Sequence, residues 1–336
     1  MRINTYTQAN DKDKFIKEFS SLNEVLLSNK NRPMPSPLEV EHLLNVFDNV
    51  KKELVLIKDE EGPVGRVCVN TTAANKDYIF FGLLEYDINK KEVLKLLMKE
   101  VENFAKKNNK INILGPIDLN VWMGNRFKSK GHDDNRSWEP HTPKNYLNDT
   151  LELGYQLDQD YLSCFYTSIG PCFERTKPAF NKVLEENFAL RNVDITLDGE
   201  VDKLFRINTT GFNQNYFYEP ITQEQYELTH IRALEGFNFQ YSFFLLNPKG
   251  EEIGYVFSYP DKDNRLIVKS IVMNPNFRGA KLSSALVHAT VAKAKENGLT
   301  KVCGACVRKG NVSEHFFDHL GEKEKIHEYT LVKKSL

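Results

Sequence analysis

The chain alternates short apolar runs with polar, glycine-bearing turns, and the order of those runs repeats. ELVLIKDEEGPVGRVCVN (53–70) and YSFFLLNPKGEEIGYVFSY (241–259) each place two apolar segments around a polar turn, and each predicts an antiparallel hairpin. Gly65 of the first corresponds to Gly254 of the second, a separation of 189 (254 − 65). The same separation carries strand YIFFGLL (78–84) onto IVKSIVM (267–273) and helix KEVLKLLMKEVENFAKK (91–107) onto AKLSSALVHATVAKAKE (280–296). It also carries Gly115, in strand KINILGP (110–116), onto Gly304 in KVCGACV (301–307). One spacing over four elements marks an internal duplication. In the first long helix Val93, Leu97, Val101 and Phe104 recur on one face; in the second, Leu282, Ala285, Leu286 and Ala289 do. Asn89 with Glu92 reads as a capping pair, and Gly298 as the stop of the second helix.

Further on the correspondence continues at a smaller separation. YLNDTLELGY (146–155) resembles HFFDHLGE (315–322), with Gly154 opposite Gly321, 167 apart (321 − 154). The first half therefore holds 22 extra residues (189 − 167) between Gly115 and Gly154. Each half closes on a strand-like segment, QLDQDYLSCFYTS and KEKIHEYTLVKKS. IGPCFERTKPAF (169–180), with two prolines and a glycine, reads as a linker between domains at 1–168 and 181–336.

Composition narrows the class. The 336 residues are 40% apolar, with a formal charge of −1, so no global field draws the chain to nucleic acid or an anionic membrane. The first fifteen residues are polar and charged, and no run reaches the ~18 apolar residues of a membrane span. The five cysteines, Cys68, Cys164, Cys172, Cys303 and Cys306, include a C-x-x-C. That pair sits in a strand and not at a helix start, so all five read as buried thiols of a reducing compartment. The expectation is a soluble cytoplasmic protein.

The candidate chemistry lies in NPNFRGAKLSSALVHAT (274–290), a loop leading from a strand into a helix. A helix N-terminus offers outward N–H groups and positive potential to an anion, and here Arg278, Lys281, Ser283 and Ser284 add charge and hydroxyls. Strand, loop, helix, KVCGACV and NVSEHFFDHLG together resemble the second half of the GNAT (GCN5-related N-acetyltransferase) fold. The usual loop there is Arg/Gln-x-x-Gly-x-Gly/Ala; Arg278 fits, and Lys281 stands where a glycine is expected. The resemblance implies an α/β (α+β) protein of two tandem GNAT-like domains, each a mixed, mainly antiparallel sheet flanked by helices. It implies that acetyl-CoA or another acyl-CoA binds along Ile271, Val272 and Met273, at Arg278, Gly279, Ala280, Lys281, Leu282, Ser283 and Ser284, and near Asn311 and Phe317. The family's proton-donating tyrosine is Phe317 here, which leaves Tyr329 or His315 as substitutes. The first half has Asn89, Lys90, Lys91 and Glu92 at the loop position, without glycine and beside Glu85 and Asp87, so its copy reads as degenerate and without cofactor.

Two segments are candidates for the acceptor. The insertion concentrates Trp122, Asn125, Arg126, His132, Asp133, Asp134, Trp138, Glu139 and His141 without repeating a metal-ligand spacing. Of these, Trp122, Arg126 and Glu139 suit a ligand wall, or else the insertion joins the two halves. In NQNYFYEPITQEQY (213–226), Tyr216, Tyr218 and Glu219 suit a cationic or aromatic substrate, or else pack as an aromatic turn. The expected activity is acyl transfer from acyl-CoA to an amine of a small molecule or peptide. Two alternatives remain open: a FemX-like transferase using aminoacyl-tRNA, and a non-catalytic CoA-binding protein.

Overall fold

Gly65 and Gly254 repeat because a helix lies against each of them. In the computed structural model a Cβ on Gly65 would stand 2.3 Å from Val93 Cγ1 and 3.1 Å from Leu97 Cδ1. One on Gly254 would stand 2.5 Å from Met273 Sδ and 3.2 Å from Leu286 Cδ1. Leu97 and Leu286 are themselves 189 apart (286 − 97), so one helix-on-sheet contact recurs in both halves.

The structure describes residues 1–22, 26, 37–47, 50–72, 74–231, 237–318 and 320–336. They fall into two compact units, Met1–Asp160 with Glu328–Leu336, and Tyr161–His327. In the first, β1 (Arg2–Thr5), α1 (Lys12–Ser20) and α2 (Pro37–Val46) precede the hairpin β2 (Lys51–Lys58) and β3 (Pro63–Thr71). Then come β4 (Tyr78–Tyr86), α3 (Lys91–Lys107), β5 (Asn112–Gly115), β6 (Phe127–Lys130), α4 (Lys144–Leu151) and β7 (Gln156–Tyr166). Strands β1 to β4 pair antiparallel in order, and β5 runs parallel to β4. Helix α3 buries Val93, Leu97, Val101 and Ala105 on its sheet-facing side, each of the larger ones worth about 1.5–3 kcal/mol of burial, while Phe104 packs at the margin.

The second unit repeats this order. Helix α5 (Gly170–Glu185), β8 (Ala189–Asn192), α6 (Glu200–Phe212) and α7 (Gln223–Tyr226) lead into β9 (Phe243–Leu246), β10 (Glu252–Asp261) and β11 (Arg265–Met273). Then follow α8 (Ala280–Glu296), β12 (Lys301–Arg308), α9 (Val312–Phe317) and β13 (Lys323–Ser335), of which Glu328–Ser335 belongs to the first unit. Helices α3 and α8 both have 17 residues and start 189 apart (280 − 91); β5 and β12 also start 189 apart (301 − 112). Gly298 follows α8 with φ 80°, the left-handed stop the sequence predicts.

Three expectations need correction. Residues 169–180 are not a linker but the body of α5. Pro171 sits in its first turn, where a missing N–H costs nothing, and Pro178 is tolerated inside it. Packing on α8 outweighs that defect: Thr176 Oγ1 meets His288 Nδ1 at 3.0 Å, and the Phe173 and Phe180 rings flank that imidazole at 4.6 and 4.7 Å. The Asn89–Glu92 cap does not form; Lys90 is the N-cap of α3, and Asn89 donates instead to Asp87 Oδ1. Finally, the closing strands are exchanged between the repeats. In the second unit β12 pairs antiparallel with Tyr161–Tyr166 of β7, which follows the first repeat. In the first unit β5 and β6 pair with Thr330–Ser335 and Glu328–Thr330 of β13, which follows the second. Among the described residues no helix is long and apolar enough to cross a membrane.

Replacing Gly65 by alanine should drive its methyl into Val93 and cost about 1–3 kcal/mol, the usual range for overpacking. Urea unfolding checks this, and adding Val93→Ala should return part of the loss, because the clash is with one branch of that side chain.

Candidate functional site

In the second unit two parallel strands start together and then part. Strands β11 and β12 pair from Arg265 with Lys301 to Val268 with Gly304, yet β11 runs on to Met273 and β12 to Arg308. Each strand carries an extra residue where the pairing stops. The β10–β11 register shifts so that Lys269 is the odd residue of β11. The β12–β7 register shifts between Gly304 and Val307, where Cys306 takes φ 52° and its N–H donates to Ser163 Oγ at 3.0 Å. Bulges of this kind bend a strand and raise its twist, which opens a fork. Ile271, Val272 and Met273 form its β11 arm. Val272 is held from one side by α6, where a Cβ on Gly211 would be 2.2 Å from Val272 Cγ1.

The fork leads to the start of α8. Gly279, its N-cap, has φ 177° and ψ 142°, extended backbone open to any residue, so conformation does not require glycine there. The position is open to solvent-side space: a Cβ on it would meet nothing within 4 Å. The Ser283 N–H is bonded back to Gly279 O at 3.3 Å, which leaves the N–H groups of Ala280, Lys281 and Leu282 ahead of the helical ladder. The side chains of Ser283 and Ser284 are half-buried beside them, and Leu282 packs against the core. The two cations behave differently from the sequence reading. Arg278 donates to Gln214 Oε1 at 2.8 Å and Gly211 O at 3.0 Å, which ties the loop to the end of α6. Lys281 pairs with Glu186, and that ammonium holds the Glu186 carboxyl below its ordinary range. The side chains of Ala280 and His315 lie outside those described.

Helix α9 closes the other arm. Asn311 has the extended conformation of its N-cap, φ −93° and ψ 156°, but its side chain makes no capping bond. Phe317 is buried, and a Cβ on Gly304 would be 2.3 Å from its ring, so that glycine is needed to seat the phenyl. The Phe317 carbonyl accepts the Tyr166 hydroxyl. Tyr329 is not in this unit. It is buried in the first, where its hydroxyl donates to Glu139. The segment between α6 and α7 presents Tyr216 edge-on to Phe217 at 4.7 Å, a buried Glu219, and Tyr218, whose hydroxyl is pushed up in pKa by burial. It ends on a capping box between Thr222 and Gln225.

The equivalent fork of the first unit is filled by its own chain. Strands β4 and β5 pair from Tyr78 with Asn112 to Phe80 with Leu114 and then part. Into the gap come the first residues of the insertion. The Ile117 N–H donates to Phe81 O at 2.7 Å, and the Asp118 carboxylate accepts the Leu83 N–H at 2.6 Å. Gly82 gives them room, since a Cβ there would be 2.3 Å from the Ile117 carbonyl oxygen. At the start of α3, Lys90 pairs with Asp59 at 2.7 Å and Lys91 with Asp149 at 2.5 Å. Beyond the plug the insertion walls a cavity of about 170 Å³, lined among others by Asp118, Asn125, Arg126, Phe127, Glu139 and His141. Arg126 reaches it with φ 78°, left-handed backbone that a non-glycine residue adopts at a cost. Glu139 is buried and salt-bridged to the buried Lys128 at 2.7 Å. Trp122 lies outside the lining, half-buried, with its backbone N–H on Asn120 Oδ1.

Two residues at the site were not singled out for it from sequence. Lys269 is the one charge within the apolar run Leu266–Met273, a signal that was legible. Cys306 is only half-buried, whereas the other four cysteines are buried as expected.

Comparison with known proteins agrees with this geometry. Residues 206–321, which hold the open fork, match the Acetyltransferase (GNAT) family. No curated protein matches the sequence. Among solved structures, the glucosamine N-acetyltransferase region of a fungal multi-domain GH3 β-N-acetylglucosaminidase superposes with TM-score 0.55 at 13% identity over 99% of this chain, which spans 38% of that longer protein. A tandem GNAT protein from the clavulanic acid biosynthesis pathway gives TM-score 0.55 at 10% identity, covering 99% of this chain and 98% of the other. A GCN5-related N-acetyltransferase from Sphaerobacter thermophilus gives 0.50 at 10% identity, over 99% and 95%. The chain thus has the tandem GNAT fold, and its residues 206–321 carry the match to the GNAT acetyltransferase family.

Proposed function

We propose that the second unit transfers an acetyl or other acyl group from acyl-CoA to an amine of a small molecule or peptide. The observation that carries this reading is the parting of β11 and β12 beyond Val268 and Gly304, leading to open space over the N-cap of α8. A helix N-terminus of 17 residues supplies N–H groups and dipole to a diphosphate, and the space over Gly279 admits it. The Ser283 and Ser284 hydroxyls add donors. The Ile271–Met273 edge supplies backbone partners for the amide arm of the donor, as an open strand edge does for an added strand. Asn311 and Phe317 wall the far side.

For the reaction, this unit contributes placement. An amine and a thioester held in line react with an entropic advantage, and an N–H of the β11 edge suits the oxygen on which charge develops. Tyr216, Tyr218 and Glu219 are the acceptor-side residues of the second unit in this reading. The first unit takes no donor, because Ile117 and Asp118 already use the backbone groups a donor would need. Its cavity, with Arg126 and Glu139 in the wall and Trp122 nearby in the insertion, is assigned to the acceptor. A second reading, binding without turnover, is favoured by one observation: the buried phenyl ring of Phe317 has no proton to give.

Acetyl-CoA should raise the melting temperature, with about 2.7 kcal/mol gained at a hundredfold excess over Kd, and calorimetry should find one site per chain. Gly279→Asp should remove the shift, and Gly279→Ala should weaken it while leaving the free protein as stable as before, since the added methyl meets no atom. No shift with acetyl-CoA or longer acyl-CoAs would sink the donor reading, and two sites per chain would sink the plug.

Arg126→Ala should raise the acceptor KM and leave acetyl-CoA affinity unchanged, as steady-state kinetics can show. Glu139→Ala is a test of folding instead: it strands the fully buried Lys128, at a cost of about 3–5 kcal/mol in a denaturant melt.

A further inference from the structure

The fork ends on a cation facing a sulfur. Lys269 is the bulged residue of β11, next after the last pair with β12, and its Nζ lies 3.5 Å from Cys306 Sγ. Cys306 is the residue of β12 with left-handed backbone at the matching bulge. Each strand departs from its ladder at the same level, and a bulge re-aims a side chain that a regular strand would send elsewhere. The first unit lacks this pair: there Leu83 takes the irregular position, φ 48°, and its N–H is bonded to the plug. Lys269 is half-buried there, four positions after the buried Arg265 of the same strand.

We propose that Lys269 is the proton donor to the departing thiolate, an assignment that rests on the acyl-transfer reading above. A donor lying along Ile271–Met273 with its phosphates at Gly279 brings its thioester toward the apex. Met273 lies four positions beyond Lys269, about 13 Å of strand. The acceptor nitrogen bonds to the carbonyl carbon, and the carbon–sulfur bond breaks with its electron pair on sulfur. A Lys269 N–H proton then passes to that sulfur. The neutral amine of Lys269 recovers a proton, through solvent, from the nitrogen that attacked. The sum is thioester plus amine to amide plus thiol. The bond from Lys269 to Cys306 already shows an ammonium N–H directed at sulfur in this place. Phe317, at the family's usual donor position, is a buried phenyl without a proton to give.

The test compares leaving groups. CoA release from acetyl-CoA is followed with glucosamine and with free lysine as amine probes, and thiol release is followed from S-(4-nitrophenyl) thioacetate, whose thiolate leaves without protonation. Lys269→Met should lower kcat with acetyl-CoA by roughly 10²–10⁴-fold, the span of one general acid, keep the acetyl-CoA melting shift, and leave kcat/KM for the aryl thioester within about twofold. Lys269→Arg should be as slow as the methionine variant, since a guanidinium keeps its charge but not a transferable proton. Equal loss with both donors, or rescue by arginine, overturns the assignment in favour of positioning by charge. Loss of turnover in Cys306→Ser with an acyl group found on Cys306 of the wild type overturns it in favour of a covalent carrier. Wild-type release no faster than without protein, while acetyl-CoA still shifts the melt, overturns the proton donor and leaves binding; no melting shift at all overturns the donor reading and this assignment with it.

Discussion

Backbone groups past the point where two parallel strands part still need partners, and the two repeats meet that need in opposite ways. In each, the third strand and the strand after the long helix pair for three or four residues and then diverge. An unpaired buried N–H or carbonyl is expensive, so an open fork persists only if water or a ligand serves it. The first unit answers with its own chain, Ile117 and Asp118 bonding to Phe81 and Leu83. In the second, β11 runs on past Val268 without β12, with Lys269 beside Cys306 at one end of that stretch and the N-terminus of α8 beyond the other.

Much of the scaffold was legible because it is duplicated. The 189-residue spacing marked hairpin, strand, helix and strand in advance, and the structure supplies the reason in Gly65, Gly254, Leu97 and Leu286, four residues of one repeated close contact. What failed to show in the sequence depended on partners far along the chain. The prolines of 169–180 read as punctuation, and only α8 explains a helix there. Lys281 read as a phosphate ligand, and Glu186, 95 residues away, takes it. The missing glycine at Asn89–Glu92 set the first copy apart from the second, but no local pattern announced that Ile117 and Asp118 bond to Phe81 and Leu83 in its fork. Tyr329 was assigned to the half it follows, and the exchange of closing strands moved it to the other unit, against Glu139. Lys269 was visible throughout as the one charge between Leu266 and Met273, and it gains meaning only when the bulges put it opposite a sulfur.

The buried trio of Lys128, Glu139 and Tyr329 deepens this picture of the first unit. An ion pair taken fully out of water yields little net stability, because desolvation offsets attraction, but it punishes any arrangement that separates its members. Two members lie in the insertion and the third on β13. The trio therefore specifies how that strand seats against the inserted segment, and it holds the wall that carries Arg126 and Glu139.

The exchanged closing strand also sets an order of events during synthesis. A domain made first on the ribosome can usually fold while the rest of the chain is still emerging. Here β5 and β6 wait for Glu328–Ser335, so the first repeat to be translated is the last whose sheet is complete. Until then it carries an unpaired edge, the kind of surface that recruits stray strands. At about 5–20 residues per second that exposure lasts on the order of tens of seconds, a window in which a chaperone can keep the unfinished sheet out of trouble.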